Sequence, residues 1–322
     1  MMGRMGDLHV VFGAGQAGRL IAARLVELDQ RVRVVSRRAH RVPGAECVTG
    51  DAADPGFCEA QAAGARSVYH CLASAYDVKA WAEELPRFAA NLSAAAGRTG
   101  ARLVVLDNLY ALGRPHGRLI DEDLPMNPCC RKGEIRAQVA EALFAAHQRG
   151  EVRVVAGRAS DFYGPGATKS HFGERFWRQV LEGRTATLLV GLDTAHSYHL
   201  LRDVARGLAA LGMAEDDVVG RAWLLPCAPA GPTRALVAQF AEALGRPLRV
   251  RSMPVAAARV LGLFVPIARE AAEVSYQWAE PFVVDDGRFR ARFGLEGTPL
   301  SEGARETATW ATRAYASGRR AG

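Results

Sequence analysis

The 322-residue chain has no run of basic or acidic residues, no paired cysteines and no long apolar segment, and each absence removes a class of function. Its six cysteines (Cys47, Cys58, Cys71, Cys129, Cys130 and Cys227) form no C-x-x-C pair and no framework spacing. A disulfide scaffold and a zinc ribbon are therefore not expected, and Cys129-Cys130, being adjacent, are poorly placed for disulfide geometry. The formal charge of +7 is spread along the chain, densest in Arg31 to Arg41 and in Arg313, Arg319 and Arg320. No basic run is interleaved with aromatics, which argues against nucleic acid as a partner. The longest apolar stretch, Val255 to Ala268, is too short to span a bilayer and is interrupted by Arg259, so no membrane partner is expected either. The opening residues, MMGRMGDLHVV, run directly into a strand-like pattern, so no signal peptide is expected and a cytoplasmic location follows.

What the chain does carry is LHVVFGAGQAGR, Leu8 to Arg19. A short apolar run enters Gly13-Ala14-Gly15-Gln16-Ala17-Gly18, and Leu20, Ile21, Leu25 and Leu28 then follow at helical spacing. Strand, G-x-G-x-x-G and helix in that order are what a dinucleotide site needs. Gly13 permits the tight turn, Gly15 lets backbone approach a pyrophosphate, and Gly18 lets the helix pack closely on the strand. The N–H groups of Gln16 and Ala17 then face the phosphates at a positive helix end.

A second strand, Arg31 to Val35, ends in Ser36-Arg37-Arg38. An acidic residue at that point would accept from the ribose 2′-OH of NAD, and none is present. A hydroxyl and two guanidinium groups stand there instead, and guanidinium pairs bidentately with phosphate. The cofactor expected is NADP(H) rather than NAD(H).

Apolar strands then alternate with helices: a third strand leading to Gly50-Asp51-Ala52, a helix from about Pro55 to Ala63, a strand ending in Leu72 and Ala73, a helix over roughly Ala80 to Ala96, and a strand over Arg102 to Leu106. This pattern predicts an α/β fold, a Rossmann-type doubly wound parallel sheet with a smaller C-terminal substrate-binding region. Residues 1–167 are expected to form the nucleotide-binding domain. Residues 168–322 form the substrate region, with about 195–230 partly returning to the sheet. Within it, residues 170–182 and Thr233 to Leu244 read as helices and GRAWLLP, Gly220 to Pro226, as the returning strand.

These pieces together resemble an extended, atypical short-chain dehydrogenase/reductase of the NAD-dependent epimerase/dehydratase family. Gly50-Asp51-Ala52 resembles that family's adenine contact, and Cys71-Leu72-Ala73 its small-residue segment beside the cofactor ribose. Arg158 to Gly166 resembles R-x-x-x-x-Y-G-P-G, and HSYHLLRDVA, His196 to Ala205, its D-V-A segment. Phe282 to Asp285, Phe293-Gly294, Thr298-Pro299-Leu300 and Thr307 to Trp310 resemble its C-terminal pattern. The resemblance implies Asp51, Ala52, Leu72 and Ala73 as cofactor contacts, a small-molecule substrate with a carbonyl or secondary alcohol, and leaves a homodimer open. The chain departs from the family in carrying Phe12 where the first Gly of G-x-x-G-x-x-G usually stands.

The larger departure concerns catalysis. The family's reductases use Y-x-x-x-K on one helix with a Ser or Thr after the fifth strand. Here no Tyr occurs between Tyr110 and Tyr163, and Asn108 stands where the Ser is expected. Three substitutes are open. Tyr110 lies two residues from Asn108. Lys132 has Arg136 one helical turn on, and a like charge disfavours a protonated amine. Asp161 and Tyr163 follow the sixth strand in what reads as a loop. His171, His196 and His199 show no complete ligand pattern, so no metal is expected. The reading is an NADP-dependent oxidoreductase or epimerase-like enzyme; the alternative is an NADP(H) sensor without redox turnover.

Overall fold

The structure, a computed structural model, describes residues 6–315. Arg319, Arg320 and the first five residues, which carried the reading of the tail and of the chain start, lie outside the described residues. The chain divides into two compact units. The first comprises the residues up to Ala111, Arg131–Ala159 and Val204–Leu225; the second comprises Leu112–Cys130, Ser160–Asp203 and the residues from Pro226 on.

The first unit is a seven-stranded parallel sheet. Its strands are β1 (Leu8–Phe12), β2 (Arg31–Ser36), β3 (Glu46–Thr49), β4 (Ala65–His70), β5 (Arg102–Asp107), β6 (Arg153–Arg158) and a last strand, Ala222–Leu224. Their spatial order is Ala222–Leu224, β6, β5, β4, β1, β2, β3. This is the doubly wound order, with the reversal beside β1. Val10, Phe12, Val68, Leu103 and Val154 are all fully buried. Continuous apolar strands of this kind need cover on both sheet faces, which helices supply. The helices here are α1 (Gln16–Glu27), α2 (Pro55–Ala62), α3 (Val78–Thr99) and α4 (Arg131–Gln148). Asp54 caps α2 by accepting from Phe57 N–H, and Asp77 caps α3 by accepting from Lys79 and Ala80 N–H.

The second unit is built on aromatic packing. Phe172, Phe176, Trp177 and Phe240 meet edge to face, with Tyr163 and Phe240 at 6.4 Å. Phe176 and Trp177 lie on the helix Glu174–Leu181 and Phe240 on Thr233–Ala243, and the helix Leu300–Tyr315 adds neighbouring apolar residues.

Three boundaries differ from expectation. The first sheet unit ends at Ala159 rather than 167, its returning segment is Val204–Leu225 rather than 195–230, and Leu112–Cys130 belongs to the second unit. Asp161–Tyr163, read as loop, is a short strand paired in parallel with Tyr198–Leu200. Three residues are too few for alternation to register in a sequence.

Candidate active site

The first part of the site is made of backbone at the carboxyl ends of β1 to β4. Gly13 has φ of 109°, and a Cβ there would stand 2.6 Å from the Cys71 carbonyl oxygen. A Cβ on Gly18 would stand 1.8 Å from the Gly13 carbonyl oxygen, so helix and strand approach as closely as a glycine allows. A Cβ on Gly15, by contrast, would meet nothing within 4 Å. Turn and packing therefore explain Gly13 and Gly18 within the chain itself, while the space over Gly15 is open. Gly15 is also the N-cap of α1, with no side-chain cap and no acidic residue in the first turn. A positive helix end facing open space fits a phosphate. Gln16 is half-buried, and Ala17 and Gly18 are buried under the first turn.

Around that end, Ser36 Oγ donates to the Arg38 carbonyl at 2.6 Å and so shapes the turn after β2. Arg37 and Arg38 are exposed. Asp51 accepts from Ala53 N–H, and the buried Ala52 carbonyl accepts from Asn91 Nδ2 at 2.9 Å. Leu72 is half-buried and Ala73 exposed at the end of β4. Leu72 N–H donates to His70 Nδ1 at 3.4 Å. Burial, then the charge of Arg136, lowers the His70 pKa to about 3, so this imidazole is neutral near neutral pH. Burial likewise pushes the Cys71 thiol up to about 12, which keeps it protonated. All six cysteines are free.

The second part is made of side chains beside the end of β5. Asn108 Oδ1 accepts from Tyr110 N–H at 3.0 Å, fixing the single 3-10 turn Tyr110–Leu112. The Tyr110 ring stacks on Trp81, with centroids 6.1 Å apart and planes at 13°. Its hydroxyl lies 3.3 Å from that of Tyr76. The Asp77 cap starts α3 directly after Tyr76, which sets Trp81 in the first turns of the helix. Lys132, fully buried near the start of α4, places Nζ 4.8 Å from the Tyr76 centroid and 6.0 Å from the Trp81 centroid. Arg136, one turn on, lies 4.9 Å over Trp81 and 3.6 Å from Asp107 Oδ1. Asp107 Oδ2 is 3.2 Å from Arg158 Nε.

Two of the sequence-derived substitutes, Tyr110 and Lys132, therefore converge on one aromatic pair, Tyr76 and Trp81. Asn108 holds the turn that aims Tyr110. Sequence reasoning missed Tyr76, Trp81, His70 and Asp107. The sole signal for the first two was an Asp77 cap flanked by aromatics, a pattern that usually marks only a helix start.

Tyr163 lies in the second unit, fully buried against Phe240 and Gly303, with its hydroxyl lacking a hydrogen-bond partner among the described residues, and burial pushes its phenol above the ordinary range. Asp161 is engaged in the same unit. Burial alone would raise its pKa, but His171 at 3.4 Å and His196 at 2.9 Å outweigh that and hold the carboxyl well below its usual range. His196 is itself stacked between Trp278 and Phe282, with Nδ1 3.3 Å from the Gln277 carbonyl. Among the described residues no group of three or more His, Cys, Asp or Glu could hold a metal ion.

No curated protein matches the chain. Solved structures share its fold. WbmH of Bordetella bronchiseptica, in complex with NAD+, is 20% identical with a TM-score of 0.73, covering 97% of this chain and 99% of its own. UDP-glucuronic acid 4-epimerase of Bacillus cereus, in complex with NAD, is 13% identical with a TM-score of 0.77, covering 96% and 99%. MoeE5, in complex with UDP-glucuronic acid and NAD, is 21% identical with a TM-score of 0.77, covering 96% and 100%. Residues 9–225, two thirds of the sequence and the whole glycine loop and Tyr110 cluster with it, match one family description, and the chain belongs to the NAD dependent epimerase/dehydratase family.

Proposed function

We propose that the chain is a nicotinamide-nucleotide-dependent oxidoreductase or epimerase acting on a carbonyl or secondary alcohol of a small molecule, with NADP(H) preferred. The observation that carries this reading is the uncapped start of α1 above the open space at Gly15. Gly13, Gly15, Gln16, Ala17 and Gly18 would hold the pyrophosphate, and Asp51, Ala52, Leu72 and Ala73 would line the adenosine and ribose. Arg37 and Arg38, exposed at the end of β2 beside Ser36, would take the 2′-phosphate. The solved relatives named above are complexes with NAD, so the two arginines and the missing acid are what support NADP(H) here.

The nicotinamide, when bound, supplies the hydride donor or acceptor. Tyr110 donates a proton to the substrate oxygen or removes one from it. Tyr76, 3.3 Å away, shares the hydrogen bond and orients that hydroxyl. Lys132 places positive charge beside the Tyr76 ring, whose hydroxyl meets that of Tyr110, where negative charge develops as a proton leaves. Arg136, held by Asp107, keeps Trp81 and hence the Tyr110 ring in place.

MoeE5 carries UDP-glucuronic acid, so UDP-sugars head the substrates to be tried, followed by ketones and secondary alcohols. The test is turnover of NADPH and NADH across that panel. Oxidation of NADPH by one substrate class supports the reading. The missing Y-x-x-x-K favours a second reading, an NADP(H) sensor, and tight NADPH binding with no substrate turned over would establish it over the first.

A further inference from the structure

The segment Val255–Glu273 is a helical hairpin: the helices Val255–Leu261 and Pro266–Glu273 joined by a tip at Gly262 to Val265. It packs closely on itself, since a Cβ on Gly262 would stand 2.8 Å from the Arg269 Cα. The tip is apolar and unburied. Phe264 is 81% exposed, Leu263 78% and Val260 63%, and Val255 and Leu261 are exposed as well. The large hydrophobics exposed elsewhere among the described residues are Tyr76 and Leu119, which stand apart in sequence. Single exposed apolar residues are ordinary; a contiguous cluster on one projecting hairpin marks a contact surface.

Two observations say what it contacts. From Arg246 to Arg269 the chain carries five arginines and no Asp or Glu. Arg249, Arg251, Arg259 and Arg269 are exposed, and the first acid beyond them, Glu270, is buried at 3%. Arg259 stands on the first helix of the hairpin and Arg269 on the second, where it lies 3.5 Å from the buried Glu270, while Glu273 at the end of that helix is half-buried; the fully exposed charge of the segment is therefore of one sign. A two-fold contact with a second copy would set these arginines against one another, which disfavours self-association. The second observation is the backbone of the tip. Gly262 N–H donates to Ala258, Leu263 N–H to Val260, and both Phe264 and Val265 N–H to Leu261, while Pro266 has no N–H to offer. The hairpin turns without leaving an amide donor that requires water, which removes the donor half of the cost of entering an apolar medium.

We propose that this hairpin seats the protein on an anionic lipid surface, with Leu263 and Phe264 entering below the headgroups and Arg249, Arg251, Arg259 and Arg269 contacting the anionic headgroups. Among the described residues no helix is long and apolar enough to cross a membrane. The expectation of no membrane partner rested on that same lack of a spanning segment, and surface seating requires none.

The test is cosedimentation of the full chain with vesicles of phosphatidylcholine containing phosphatidylglycerol, beside vesicles of phosphatidylcholine alone. The expected result is binding to the anionic vesicles that weakens with salt. Leu263→Asp with Phe264→Asp should lower it at least tenfold with an unchanged circular dichroism spectrum, and Arg259→Glu should lower it less. Because the tip side chains are exposed, neither variant removes core packing. Wild-type protein that stays in the supernatant overturns the proposal, as does equal sedimentation of the double variant. Loss of a dimer in the double variant without any vesicle binding by the wild type would also overturn it, and would assign the hairpin to contact between copies.

Discussion

At the start of α1 the candidate site is made of backbone, whereas at the end of β5 it is made of side chains from three segments far apart in sequence. In the first, sterics force glycine at Gly13 by a φ of 109° and at Gly18 by a carbonyl 1.8 Å from its missing Cβ, while nothing within the chain forces it at Gly15. In the second, Tyr76, Trp81, Asn108, Tyr110, Lys132 and Arg136 meet only because β5, α3 and α4 come together. The proposed cofactor end is therefore readable as a short motif, whereas the proposed catalytic end is not. This chain carries G-x-G-x-x-G, with Phe12 in place of the family's usual first Gly, and no Tyr between Tyr110 and Tyr163.

The comparison breaks most sharply at the glycines. Gly15→Val should lower nucleotide affinity at least about a hundredfold, roughly 2.7 kcal/mol, and leave the melting temperature near wild type. The side chain would fill only the open space above the turn. Gly18→Val should do the reverse in order of severity, unfolding or strongly destabilising the chain before binding can be measured. Calorimetric titration paired with thermal melts separates the two. Equal behaviour of the two variants would mean that the space over Gly15 has no ligand to admit.

A smaller effect is expected at Arg37 and Arg38. Wild-type protein should prefer NADP(H) over NAD(H) by about tenfold, or 1.4 kcal/mol, and Arg37→Ala with Arg38→Ala should remove that preference. Fluorescence titration with both nucleotides reads it. A preference for NAD(H) in the wild type would align the chain with the solved NAD complexes and cancel the role given to the arginines.

A further effect is expected in pH dependence. His70 has a pKa lowered from 6.5 to about 3, and His9 one lowered to about 4, in both cases chiefly by burial. A histidine held neutral in the fold gives stability that is complete above pH 6.5. That stability is lost as pH falls toward the folded pKa, because the unfolded chain takes up the proton first. Each contributes at most about 1.4 kcal/mol per pH unit in that window. Melting temperature should fall between pH 6.5 and 4, and His70→Gln should make the fall shallower. A pH-independent melting temperature across that range would show that His70 is not held neutral by the fold.

The fold was legible because its signals are local. Apolar strands alternate with capped helices, and the Gly loop sits between β1 and α1 as its spacing required. The boundary at Ala159 was not legible, since Asp161–Tyr163 is a strand only through its pairing with Tyr198–Leu200. The burial of Tyr163 was not legible for a related reason: Gly303 and Phe240, which close around it, are far away in sequence. Tyr110 and Lys132 were found one by one, as residues near a gap. What joins them, the Tyr76–Trp81 pair, comes from a helix start with no periodic signature of its own.

The central claim, that Tyr110 replaces the absent tyrosine of the helix pair, is tested most directly by single-turnover kinetics of Tyr110→Phe with NADPH and a substrate the wild type turns over, beside Lys132→Met. A positioned acid or base contributes about a hundredfold or more. The account predicts that Tyr110→Phe loses at least that much in turnover with unchanged NADPH affinity, and that Lys132→Met loses less. Near-normal turnover in Tyr110→Phe with a large loss in Lys132→Met would contradict it and assign the proton transfer to the lysine.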